Sequence, residues 1–391
     1  MGSVILSAAR TPVGSYLGTL SSLSAPQLGA TAIKEAVTRA KINKDAINEV
    51  IMGNVLQGGV GQAPARQAAI YSGLSVHVEC MTINKVCGSG LKAVMLADQA
   101  IKTDDAELIV AGGMESMSNA PYFLKKARNG YRMGNGELID LMIHDGLWDV
   151  YKNIHMGMAG ELCSETYNIS REEQDEYAIM SYKRAIEATE NGNFVDEIVP
   201  IEIPAKTGSI KIDKDEEPFK VNFDKIKSLK PAFKSDGVIT AANASSINDG
   251  ASALVVASEN YAQLNGLKPL AKIIAHVSYA QEPEWFTTAP TFAIQKLLKK
   301  VNMNIQDIDL FEINEAFAVV SMITAKNLGI PYDKMNINGG AVSIGHPIGA
   351  SGARILTTLI YALKKLNKKY GIASLCIGGG EANAMLIEMI D

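Results

Sequence analysis

Gly88-Ser89-Gly90-Leu91-Lys92 and Ala350-Ser351-Gly352-Ala353-Arg354 are two versions of one short pattern, a turn of small residues opening into an amphipathic run. Two further stretches pair in the same way. Glu49-Val50-Ile51-Met52-Gly53-Asn54 parallels Asp309-Leu310-Phe311-Glu312-Ile313-Asn314, and Ala111-Gly112-Gly113-Met114-Glu115 parallels Ile377-Gly378-Gly379-Gly380-Glu381. All three pairs are separated by roughly 260 positions, and so steady a spacing favours a duplicated βαβ unit over chance. Around these landmarks, short β-branched runs at 4–8, 49–53, 107–112, 252–257, 271–275, 310–313, 374–377 and 384–388 read as strands. Stretches 91–102 and 354–366 read as helices, the latter placing Ile355, Leu359, Leu363 and Leu366 on one face. The class is therefore α/β. In the second half the glycine run leads directly into 384–388, whereas in the first its partner strand waits until Ser252, so an insertion spanning 119–240 is expected. It is rich in lysine, including Lys206, Lys211, Lys214, Lys220, Lys225, Lys227, Lys230 and Lys234.

The 391 residues include 37 Lys and Arg against 42 Asp and Glu, a net charge of −5 with no long block of one sign. Duplex nucleic acid and an anionic membrane surface have no electrostatic footprint here. Charged or small residues interrupt every apolar run before it could span a bilayer, so no membrane segment is expected. Residues 1–6 carry no basic leader, and Cys80, Cys87, Cys163 and Cys376 fit neither a disulfide framework nor a zinc cluster. The expected setting is the reducing cytoplasm, with no metal.

Thiol chemistry is then the open question. Cys87 lies between a strand and a helix, where the helix N-terminus is expected to lower its pKa and enrich the thiolate. His346, in Gly345-His346-Pro347-Ile348-Gly349, occupies the same junction in the second half, and Pro347 keeps it in a turn. Pairing the halves about a pseudo-twofold brings the two junctions together, and a thiol with an imidazole is the minimum for an activated sulfur nucleophile. Cys376 opens a glycine run whose N–H groups can cradle an oxyanion. Asn314, at another strand end, can hold a water or a carbonyl oxygen. No dinucleotide fingerprint or phosphate-loop motif competes.

Residues 84–90, 314–318, 345–352 and 376–380 together closely resemble the four catalytic blocks of the thiolase family, and the similarity extends from Arg10-Thr11-Pro12 to the C-terminus. His155-Met156-Gly157 resembles the short-chain, acetoacetyl-CoA branch. The resemblance implies duplicated βαβαβαββ halves in a layered αβαβα core, divided as 1–118 plus 241–268, an inserted loop domain 119–240, and 269–391. It implies condensation of two acetyl-CoA to acetoacetyl-CoA and CoA without a cofactor, the CoA thioesters being substrates. Cys87 would carry the acyl group, His346 would activate it, and Cys376 would handle the α-proton. The Cys87 and Gly378 amides would form one oxyanion hole, and His346 with an Asn314-held water the other. Coenzyme A would meet Leu147, His155, Ala232, Phe233, Ala241, Ser245, Ile247, Ala316 and Phe317, and Lys220 and Lys225 are the expected phosphate contacts. The family also implies a homotetramer, a dimer of dimers joined through residues 128–140.

Three departures stand out. Trp285-Phe286-Thr287-Thr288-Ala289-Pro290 replaces a Met-Gly-x-Gly-Pro stretch of relatives, a phosphate-contacting Arg has no match near Pro218, and the final block reads Gly380-Glu381-Ala382 where Gly is usual at the last place. Two other readings stay open: preference for longer or 2-methyl-branched 3-ketoacyl-CoA, and a non-catalytic acyl-CoA-binding protein.

Overall fold

Each half opens with a long strand and sets helices on both faces of the sheet that follows. In the computed structural model, which describes residues 2–205 and 207–390, the first half runs β1 (Ser3–Arg10), α1 (Ala25–Ala40), β2 (Glu49–Gly53), α2 (Pro64–Tyr71), β3 (Glu79–Ile83), α3 (Ser89–Lys102) and β4 (Leu108–Ser116). Lys206 of the insertion lies outside the described residues. The main helices of the insertion are α4 (Met156–Tyr167) and α5 (Arg171–Glu190), after which the chain returns as β5 (Asn248–Ser258). The second half repeats the plan with β6 (Ala271–Ala280), α6 (Ala289–Val301), β7 (Leu310–Ile313), α7 (Ala318–Leu328), α8 (Ser351–Leu366), β8 (Tyr370–Ile377) and β9 (Glu381–Met389). Several strands outrun the hydrophobic runs that announced them. The extensions are polar: Glu115 and Ser116 end β4, and Asn248 and Asp249 begin β5, all buried.

The sheet order is β3-β2-β4-β5-β1 followed by β6-β9-β8-β7. In the first half β2 pairs in parallel with β3 and β4, while β4–β5 and β5–β1 are antiparallel. The second half has the same pattern, β7–β8 parallel and β8–β9 and β9–β6 antiparallel. The counterpart of β3 there has shrunk to a single parallel bridge between Phe311 and Met335. Where β1 meets β6, Ser3 to Ile5 pair with Ile273 to Ala271, so the half-sheets join into one sheet with these nine strands on its path and the short strand Gly14–Ser15 paired with β5 beside it.

Five layers result. Helices α1 and α2 cover the outer face of the first half-sheet, α6 and α7 that of the second, and α3 with α8 lies between the inner faces of both. On α8, Ile355, Leu359 and Leu363 are fully buried in this middle layer, each stabilising the fold by roughly 1.5–3 kcal/mol relative to exposure. Leu366, on the same spacing, is half exposed because α8 ends there. The two central helices approach through matched glycines. A Cβ at Gly90 would fall 2.7 Å from Ala353 N, and one at Gly352 would overlap Leu91 N. This exchange of equivalent contacts is the mark of a twofold pairing, here between two halves of one chain. No helix among the described residues is long and apolar enough to cross a membrane.

Candidate active site

Parallel strands carry their C-terminal ends to one rim of the sheet, where open α/β folds place their chemistry. Asn54 follows β2, Asn314 follows β7, and Cys376 lies at the end of β8. The Asn314 N–H donates to Ser374 O at 3.0 Å, which sets the asparagine beside the Cys376 strand.

The Cys87 junction is a tight elbow. Asn84 Oδ1 accepts from Val86 N at 2.9 Å, and Ser89 Oγ accepts from Lys85 N at 2.8 Å and donates to Val86 O at 2.7 Å. Val86, a β-branched residue, sits at φ +45°. The N–H groups of Gly378 and of Cys87 itself lie close enough to the Cys87 sulfur to favour its thiolate. Even so, burial pushes the thiol up to about 11, and nearby Glu115 adds to the rise. The expected stabilised thiolate is thus corrected. Desolvation outweighs the helix terminus, whose first amide, Ser89 N–H, is already occupied by Val86 O.

The imidazole of His346 faces the same space. Gly345, at φ +112°, turns the chain, and His346 N donates to Asn248 Oδ1 at 2.8 Å. His346 Nδ1 lies 2.6 Å from Ser351 Oγ, whose own proton is directed at Pro347 O, 2.9 Å away. The hydroxyl therefore accepts from Nδ1–H, leaving Nε2 with a bare lone pair and no partner among the described residues. Burial, reinforced by the Arg354 guanidinium, lowers the His346 pKa to about 3, so the ring is neutral and available as a base.

Cys376 and Asn314 are each only 1% exposed, behind the cavity wall. Burial and the neighbouring Cys87 push the Cys376 thiol well above its ordinary value. Neither amide atom of Asn314 has a hydrogen-bond partner among the described residues. A buried amide with both ends open is costly unless something polar meets it.

A cavity of roughly 210 Å³ opens onto Cys87, His346 and Gly378. Leu147, His155, Phe233, Ser245, Ile247, Ala316 and Phe317, expected at coenzyme A, are among the residues that line it. His155 stacks on Phe233 with ring centroids 4.7 Å apart, and Phe233 meets Phe317 edge-on at 6.0 Å. Gly157 permits this stack, since any Cβ there would strike the Phe233 ring. The 243–245 strip is laced to the opposite wall: Ser245 N and Oγ both donate to Ala316 O, at 3.0 and 2.9 Å.

Other expected contacts lie elsewhere. Ala232 and Ala241 are exposed and outside the cavity lining. Lys220 Nζ is committed to Glu216 at 2.6 Å and Ser15 Oγ at 2.7 Å, while Lys225 is exposed on the turn Phe223–Ser228. The lining also includes Val86, Met117, Met156 and Phe286, which sequence reasoning did not single out. Phe286 lies in the departing 285–290 stretch, so that departure was itself the available signal. Ser351 and Asn248, which orient His346, had none beyond small polar side chains in a repeat. No group of three or more His, Cys, Asp or Glu among the described residues is arranged to hold a metal.

Comparison with known proteins accords with this geometry. Residues 3–260 match the thiolase N-terminal domain and residues 267–389 the thiolase C-terminal domain. Acetyl-CoA acetyltransferase 2 of Arabidopsis thaliana is 51% identical over 389 residues, covering 99% of this chain and 96% of that protein. An acetyl-CoA acetyltransferase of Cupriavidus necator is 50% identical, with 98% of each covered. A cytosolic acetyl-CoA acetyltransferase of Gibberella zeae is also 50% identical, covering 98% of this chain and 97% of that protein. The crystal structure of Acat5 thiolase from Ascaris suum in complex with coenzyme A superposes with a TM-score of 0.95 at 43% identity, over 100% of both chains. Duplicated halves, two neighbouring thiols, an imidazole on the same cavity as Cys87 and matches along nearly the whole length lead to one conclusion: the chain belongs to the thiolase family.

Proposed function

We propose that the protein is an acetyl-CoA C-acetyltransferase that condenses two acetyl-CoA into acetoacetyl-CoA and CoA, and runs the reverse thiolysis, through an acetyl-Cys87 intermediate. One observation carries the reading: Cys87, the Gly378 backbone and a neutral imidazole with a bare Nε2 open onto one cavity, with the Cys87 and Gly378 N–H groups near the sulfur. Those groups are the acceptor, the oxyanion donors and the base that acyl transfer requires. The similar acetyl-CoA acetyltransferases support the choice of substrate.

In the first half-reaction His346 Nε2 takes the Cys87 proton as sulfur attacks the thioester carbonyl. The Cys87 and Gly378 N–H groups meet the developing oxyanion. CoA leaves as the thiol with the Cys376 proton, which leaves a Cys376 thiolate and an imidazolium. In the second, that thiolate removes an α-proton from another acetyl-CoA, and His346 with a water on Asn314 holds the enolate oxygen. The enolate carbon attacks acetyl-Cys87, the carbon–sulfur bond breaks, and the imidazolium returns its proton to Cys87. Protons balance over the cycle without a metal or cofactor. The cavity suits an acyl-pantetheine arm, with the nucleotide part of CoA toward the insertion 119–240 and Lys225.

The proposed assembly is a dimer of dimers in the cytoplasm. The open edge of β3, with Met81 exposed, and the exposed Tyr131, Met133 and Leu138 support association. Light scattering on the purified protein reads the oligomer directly.

The chemical step is tested by incubating the protein with acetyl-CoA, quenching in acid and mapping the acetyl mass. The label is expected on Cys87 and absent in Cys87→Ala. A label on Cys376, or none, overturns the proposal.

A further inference from the structure

We infer that Lys85 and Glu381 form a latch between the two halves that keeps the Cys87 and Gly378 amides in register, which makes both of them positioning residues of the oxyanion hole. The inference rests on the acyl transfer proposed above.

The two amides arrive on separate loops, and neither loop is rigid by itself. On one side Lys85 is two residues before Cys87, and between them Val86 occupies the left-handed region, which a β-branched residue holds only under constraint. On the other, Gly378-Gly379-Gly380 is the turn between β8 and β9, with Gly379 and Gly380 at φ +91° and +85°. Glycine offers such a turn little intrinsic preference for one shape. Glu381 closes that turn, opposite Ile377 in the strand register. Its carboxylate is ion-paired with Lys85 Nζ, so the pair joins the foot of one loop to the foot of the other. A further polar tie between them is a long one, Asn383 Nδ2 to Gly88 O at 3.4 Å. Lys92 is near enough to feel both charges and adds positive charge to that side.

The internal repeat supplies an independent argument. Glu115 is the repeat partner of Glu381, and it too reaches into the other half: its Oε2 accepts from Gly349 N at 2.9 Å, in the turn that carries His346. Each half thus sends a glutamate from the same repeat position to hold the reactive loop of the other. Glu115 does so fully buried, through backbone N–H groups, whereas Glu381 does so at a half-buried rim, through a lysine.

A partly exposed ion pair adds little to global stability, but hydrogen-bond donors aimed at an oxyanion lose their effect with small displacements. Lys85→Met and Glu381→Gln should therefore leave the melting temperature nearly unchanged while slowing acetylation of Cys87 by about 3- to 10-fold, with KM for acetyl-CoA within about twofold. The exchange variant, Lys85→Glu with Glu381→Lys, should recover most of the rate. Alkylation of Cys87 by iodoacetamide reads the same Gly378 N–H without any CoA substrate, and both single variants should slow it. If the pair acted only through its field on the thiolate, Glu381→Gln would speed alkylation while Lys85→Met slowed it. That opposite response, single variants at the wild-type rate, or an exchange variant no better than the singles each overturns the latch. Absence of acetylation in the wild type would instead refute the proposed reaction, and the alkylation series would still decide the latch.

Discussion

The same repeat landmark is closed in one half and open in the other. In the first, Asn54 Nδ2 donates to Glu115 Oε1 at 2.6 Å, and Glu115 also accepts from Val55 N, Leu56 N and Gly349 N at 3.0, 3.1 and 2.9 Å. Gly112 and Gly113 stay extended within β4, pressed against Ser252 O and Gly349 O. In the second, Asn314 keeps both amide atoms free of partners among the described residues, and the glycines break the sheet into a turn that presents Gly378 N–H to Cys87. Duplication supplied two equivalent sheet ends. One became the buttress, and the other retained unmet hydrogen-bonding capacity at the place where charge develops.

The harshest way to break this comparison is to remove the second thiol. Cys376→Ala should still acetylate Cys87 but lose exchange of the α-protons of acetyl-CoA, with condensation down by about 10²- to 10⁴-fold, the usual range for a general base. Normal deuterium exchange in that variant would assign the base elsewhere. The matched asparagines give the most direct contrast. Asn314→Ala should lower kcat by roughly 100-fold with little change in denaturant midpoint, whereas Asn54→Ala should destabilise by about 2 kcal/mol because a buried carboxylate loses a donor. Equal stability losses in the two variants would remove the distinction between buttress and site.

A smaller effect tests the neutrality of His346. Its folded pKa is lowered from 6.5 to about 3, so below pH 6.5 the unfolded chain binds a proton that the native state refuses. Stability is therefore lost as pH falls, by about 2 kcal/mol at pH 5 for this one group, and His346→Gln should show a correspondingly flatter profile between pH 6.5 and 5. Unfolding curves on both proteins supply the measurement, and parallel profiles would show the ring to be charged in the native state. The smallest effect concerns the insertion, which exists in only one half. Lys225→Ala should raise KM for acetyl-CoA a few-fold, roughly threefold, less so at high salt and not at all for a truncated pantetheine thioester. Lys220→Ala should change KM less, since Glu216 and Ser15 already hold its ammonium.

Much of this was legible before the structure. Hydrophobic runs located the core strands, because burial on both faces demands continuous apolar sequence. The repeat then paired Cys87 with His346 across the molecule. What stayed hidden depends on contacts between distant residues. Nothing local marks Asn248 as the acceptor for His346 N, or Ser351 as the group that fixes its tautomer. Local reasoning about Cys87 even pointed the wrong way on pKa, since it counted the helix end and not the walls that the insertion and the second half close around the thiol. Glu381 was visible as the repeat partner of Glu115, but its pairing with Lys85 required the fold.

The place of β1 bears on how the chain is made. Ser3 to Arg10 form a central strand, paired with Ser258 to Ser252 on one side and, through Ser3 to Ile5, with Ile273 to Ala271 on the other. Both neighbours emerge from the ribosome late. At about 5–20 residues per second, the strand waits roughly 12–50 s, as an apolar segment without a partner, before β5 has been synthesised. Such distant pairing is a slow folding topology that leaves nascent chains prone to aggregate. Ribosome-bound chains ending before and after β5 should therefore differ sharply in protease resistance at β1, and the earlier ones should be the species that chaperones retain.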